Sequence, residues 1–140
     1  MKQNVEQLLR SGQSVIVPVA GYSMYPLFKP QDQITIEPAG IQDVKPGNIV
    51  LFRDHQNRLA VHRIYEVGDG EFSAVGDNQT MIEEGILFGN LIGLVTAVGR
   101  SGKLKSLTGR KAAVYARYKF FTLRYRKVTH RLIKALKSKK

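Results

Sequence analysis

Asn48-Ile49-Val50-Leu51-Phe52-Arg53 and Leu59-Ala60-Val61-His62-Arg63-Ile64-Tyr65-Glu66-Val67, broken by Asp54-His55-Gln56-Asn57, are the stretch on which the fold turns. Both runs are rich in β-branched and aromatic residues and are of strand length, and the polar segment between them is turn chemistry. Working outward, the same pattern recurs at residues 14–19, 33–37, 71–75 and 91–100. The spacers Lys29-Pro30-Gln31-Asp32, Pro38-Ala39-Gly40, Lys45-Pro46-Gly47 and Gly68-Asp69-Gly70 are turn signals. Many short strands without long intervening helices predict a mainly β chain, folded as an antiparallel coiled or barrel-like sheet. Ahead of it, Val5, Leu8 and Leu9 follow helical spacing between a capping Asn4 and Gly12, which predicts a short N-terminal helix.

The C-terminal part has a different composition. Residues 1–100 carry 8 Lys/Arg against 11 Asp/Glu, whereas residues 101–140 carry 14 Lys/Arg and no acid, so the net charge of +11 is a body of −3 joined to a segment of +14. Apolar residues recur at helical intervals from Ala112 to Leu136, which predicts one or two basic amphipathic helices. The expected organisation is a β domain over 1–100 and a helical tail over 101–140. A hydrophobic fraction of 43% is that of a folded chain. Cys is absent, which excludes disulfides, a thiolate nucleophile and Cys-based zinc sites. No apolar run reaches the roughly 18–20 residues that span a bilayer. The expectation is therefore a cytoplasmic protein, peripheral at the inner face of the membrane where the tail meets it.

A serine hydroxyl becomes a nucleophile only when a base takes its proton and fixed donors meet the oxyanion. Ser23 lies in Gly21-Tyr22-Ser23-Met24-Tyr25-Pro26-Leu27. Here Gly21 permits a tight turn and close approach of a substrate strand, Met24 can pack beneath the turn, and Pro26 rigidifies its exit. By itself the segment is equally an ordinary Gly/Pro turn.

The segment resembles the nucleophile box of the signal peptidase I family, which is related to the self-cleaving repressor peptidases. Further boxes follow in that family's order. Gln31-Asp32-Gln33-Ile34-Thr35-Ile36 and Lys45-Pro46-Gly47-Asn48-Ile49-Val50-Leu51-Phe52-Arg53 resemble two structural strands, with Gln31 and Asn48 replacing the family's Gly and Asp. Val61-His62-Arg63-Ile64 resembles the general-base strand and Gly76-Asp77-Asn78 the late loop, while Leu91 to Val98 resembles the closing strand. The base position holds histidine, as in the archaeal and endoplasmic-reticulum type, and no lysine lies between Lys45 and Lys103.

The resemblance implies a serine endopeptidase in which Ser23 attacks, His62 is general base and then general acid, and either Asp77 or Glu83 orients the imidazole. The Ser23 amide would meet the oxyanion, and no cofactor or metal is required. It also implies a peptide or leader-peptide substrate with small side chains before the cut bond. The family's usual N-terminal anchor has no counterpart here. Arg63 is expected to support loop carboxylates, and His55 and His130 to be surface residues.

For the tail, Tyr115, Tyr118, Phe120, Phe121 and Tyr125 among Lys and Arg suit an anionic membrane surface. Nucleic acid is the lesser candidate, since no specific reader motif is present. The alternative reading of the whole chain is a catalytically inactive peptidase-like module that binds peptides by strand addition and uses its tail for membrane or nucleic-acid association.

Overall fold

The computed structural model describes residues 2–138. Its elements, in chain order, are α1 (Lys2–Arg10), β1 (Val15–Pro18), β2 (Gln33–Pro38), β3 (Ile49–Arg53), β4 (Leu59–Val67), β5 (Glu71–Val75), β6 (Glu83–Leu87), β7 (Leu91–Arg100), β8 (Lys103–Ser106) and α2 (Arg110–Ser138). The strands form one open antiparallel sheet in the order β1-β2-β7-β3-β4-β5-β6, with β8 paired to β7. α1 begins at Lys2, ahead of Asn4, and the side chains of Asn4 and His130 lie outside the described residues.

Strand β3 is buried on both faces, which is why it reads as a continuous apolar run and not as an alternation. Ile49 and Leu51 enter one core with Leu9, Met24, Phe28, Ile34 and Ile36. Val50 and Phe52 enter a second with Ile64, Phe72, Ala74 and Ile86. A one-residue slip would exchange the two sets, so the register is strongly specified. Irregular pairings at Thr35/Ile36, Leu51/Phe52, Ile64/Glu66 and Phe72/Ala74 coil the sheet.

The two departures from the resembling family are accommodated locally. Gln31 sits at a positive φ of 75°, a conformation that glycine adopts without strain. Asn48 accepts the Lys45 N–H through Oδ1 at 2.8 Å, as an aspartate would. Asp32 is buried and takes two hydrogen bonds from Arg100, at 2.8 and 2.6 Å, tying β7 to the loop before β2. Those bonds from Arg100 hold its carboxyl below the usual carboxylate range.

β6 and β8 are not evident in the sequence. Glu83-Glu84-Gly85 and Lys103-Leu104-Lys105 lack strand composition, and backbone pairing to β5 and β7 alone makes them strands. The predicted one or two C-terminal helices are a single helix, α2. Its first half docks on the body through buried Ala116 and Leu123, through Phe120 edge-on to Tyr65 at 5.5 Å, and through Tyr115 beneath the Arg63 guanidinium. Among the described residues, no helix is long and apolar enough to cross a membrane.

Phe52 is fully buried and packs edge-on against Phe72 at 5.7 Å, whereas Ile16 on β1 is 67% exposed. Phe52→Ala is expected to cost about 3–5 kcal/mol of stability. Ile16→Ala is expected to stay within about 0.5 kcal/mol of the wild type. Urea denaturation midpoints measure both.

Candidate active site

Ser23 lies in the turn between β1 and β2, which is bound to the loop after β5. Gly21 opens the turn at φ 77°. Met24 is buried, and its sulfur accepts the Asp77 N–H at 3.4 Å. Asn78 N–H donates to Ser23 O at 2.8 Å, and Asn78 Nδ2 to Tyr22 O at 3.3 Å. Gly76 is required for this approach, because a Cβ there would stand 2.6 Å from Ser23 O. Pro26 is exposed. The Ser23 main-chain N–H donates no hydrogen bond among the described residues.

Arg63 and Asp77 form a buried pair. Arg63 Nε and Nη2 donate to the two Asp77 carboxylate oxygens at 2.8 and 2.7 Å, and Nη1 donates to Gly47 O at 2.9 Å. The side chains are 3% and 1% exposed, so water offers neither charge a substitute partner. α2 closes over the loop: Arg126 Nη1 donates to Gly76 O at 3.1 Å, to Gln79 O at 3.0 Å and, at short range, to Asp77 O. The sequence reading did not single out Arg126, which is one arginine among many in a basic segment and is selected only by the way the helix docks.

His62 projects from β4 towards the second core and meets the Phe52 ring edge-on at 5.8 Å. It lines an open cleft of about 660 Å³ with Asp54, His55, Asn78, Ile82 and Glu83. Burial lowers the pKa of the imidazole below 6.5, against the opposing pull of Glu83 first, then Asp54 and Asp77. Glu83, at the start of β6, accepts the His55 N–H through Oε2 at 3.0 Å, and its Oε2 lies 3.9 Å from His55 Nε2.

The structure thus brings His62 and Glu83 into one cleft. Both Asp77 oxygens are directed instead to Arg63. Ser23 is joined to that cleft through Asn78, whose main chain holds Ser23 O and whose residue lines the cleft wall. Among the described residues, Ser23 Oγ and the His62 ring share no hydrogen bond, and Ser23 is not among the residues that line the His62 cleft. His55 and Asp54, read from sequence as part of a turn, line the same cleft because the β3–β4 turn folds towards β6. Among the described residues, no group of His, Asp and Glu is placed to hold a metal ion.

A family model described as Peptidase S24-like matches residues 2–96, and the chain belongs to that family. No curated protein and no solved structure matches the chain.

The two candidate acids separate by experiment. Asp77→Asn leaves the buried Arg63 charge without its counter-ion and is expected to cost about 3–5 kcal/mol in denaturant unfolding. Glu83→Gln preserves an acceptor for the His55 N–H on a partly exposed side chain and is expected to change stability by less than about 1 kcal/mol.

Proposed function

We propose that this member of the Peptidase S24-like family is a histidine-type serine endopeptidase, in which Ser23 is the nucleophile, His62 the general base and Glu83 the acid that orients it. The observation that carries the reading is the division between the two carboxylates: Glu83 lines the same cleft as His62, while both oxygens of Asp77 are committed to Arg63.

The chemistry follows from these positions. His62 accepts the Ser23 hydroxyl proton as Oγ adds to the scissile carbonyl carbon. The oxygen becomes an alkoxide that the Ser23 amide can meet. The carboxylate of Glu83 stabilises the imidazolium, which then gives its proton to the departing amine as the C–N bond breaks. Water, deprotonated by the same imidazole, hydrolyses the Ser23 ester and restores the enzyme. Asp77 contributes by geometry: through Arg63, Met24 and the adjacent Asn78 it holds the turn that presents Ser23. The substrate is an extended peptide, such as the leader of an exported product, with small side chains ahead of the cut bond.

Ser23→Ala and His62→Ala are each expected to abolish cleavage of a fluorogenic peptide library, with the unfolding midpoint of Ser23→Ala near that of the wild type. Glu83→Gln is expected to lower kcat by about 10²–10⁴. Because burial lowers the His62 pKa, kcat/KM is expected to be level near neutrality and to fall about tenfold per pH unit only once pH drops below His62's reduced value, under 6.5. A wild-type chain that cleaves no peptide and does not react with a fluorophosphonate probe would be an inactive peptide-binding module instead.

A further inference from the structure

We propose that the outward face of α2 is a docking surface for an anionic lipid bilayer, on which the helix lies flat. The helix has two apolar faces, and the body covers one. Ala116 and Leu123 are buried against the sheet side, and Arg126 on that side reaches the loop at Gly76. The other face carries Val114, Tyr118, Phe121, Tyr125, Val128 and Leu132, each more than half exposed. Their steps of four, three, four, three and four residues keep them in one row. At a rise of about 1.5 Å per residue the row is about 27 Å long.

Charge determines what covers this row. Arg110, Lys111 and Arg117 are exposed beside it, Arg131 is exposed a little further round the helix, and no acid occurs anywhere from residue 101 to 140. Two copies pairing row to row would bring positively charged flanks together with no carboxylate to offset them, which opposes a coiled coil. A nucleic acid would satisfy the charges and leave a continuous aliphatic and aromatic row in water. An anionic leaflet satisfies both requirements, since apolar side chains enter the acyl boundary, Tyr and Phe suit the headgroup level, and Lys and Arg meet the phosphates.

This surface differs from the cleft in position and in residues, and the inference does not depend on peptidase activity. It has a geometric consequence for the cleft all the same. Because Arg126 on the inward face grips the loop that holds Ser23, a helix lying on a leaflet presents the Ser23 turn at a set height above the lipid.

The test is co-sedimentation of the full chain with vesicles of phosphatidylcholine alone or with phosphatidylserine added. Binding is expected to be stronger on the anionic vesicles by at least about tenfold. The exposed-face variant Phe121→Ser/Tyr125→Ser/Leu132→Ser should lose it while keeping the wild-type unfolding midpoint, and Lys111→Gln/Arg117→Gln/Arg131→Gln should weaken it. The chain has no Trp, so Phe121→Trp is a lone reporter whose emission should shift to the blue on anionic vesicles and be quenched by acyl-brominated lipid. No sedimentation with anionic vesicles overturns the proposal. So does binding that the Ser variant retains, which would be adsorption by charge alone. A wild-type dimer in light scattering that the Ser variant abolishes assigns the row to a second copy. Retention of duplex DNA by the Ser variant, with no blue shift of the Phe121→Trp reporter on vesicles, assigns the segment to nucleic acid.

Discussion

The buried pair between Arg63 and Asp77 is the contact on which the rest of the arrangement depends. Neither charge is tolerable alone at that depth, so the two must meet, and their meeting fixes the loop after β5 against β4. Every neighbouring element then takes its position from that loop. Gly47 caps the third donor of the guanidinium, Met24 and Ser23 receive N–H groups from Asp77 and Asn78, and Tyr115 of α2 lies under the guanidinium. The Ser23 turn, the His62 strand and the C-terminal helix are thus joined at one ion pair.

That pair also explains how two nearby carboxylates come to differ. A carboxylate that accepts two arginine donors in a dry setting is held rigidly and has little capacity left for another partner. Glu83 is partly exposed on β6 and lines the cleft with His62. Burial beside Phe52 lowers the pKa of the imidazole, and the carboxylates of Glu83, Asp54 and Asp77 oppose that shift. Glu83 sits on an edge strand formed by pairing to β5, so it lines the cleft without bringing a second buried charge into the core.

α2 shows the same division of roles by position. A single helix docks through small and apolar residues on one side and leaves a second apolar row among basic residues on the other. Its inward arginine, Arg126, satisfies carbonyls of a loop that has no regular partner, which is why a long and highly charged helix can pack against a slightly acidic body.

Much of this was legible before any coordinates. Alternation and turn residues located the strands from β1 to β5 and β7 to within a residue or so, and the order of the boxes placed Ser23 and His62 in one family pattern. Charge counting separated the body from the basic segment. Those features are local or additive along the chain, so sequence determines them. Tertiary structure alone decided that Glu83 and not Asp77 faces the His62 cleft, that Arg126 among fourteen C-terminal cations grips the loop beside Ser23, that β6 and β8 are strands, and which side of α2 is left uncovered. The physical reason is common to all four. A side chain's type states what partners it could take, and only the packing of distant segments settles which of them it meets and which groups are left to water.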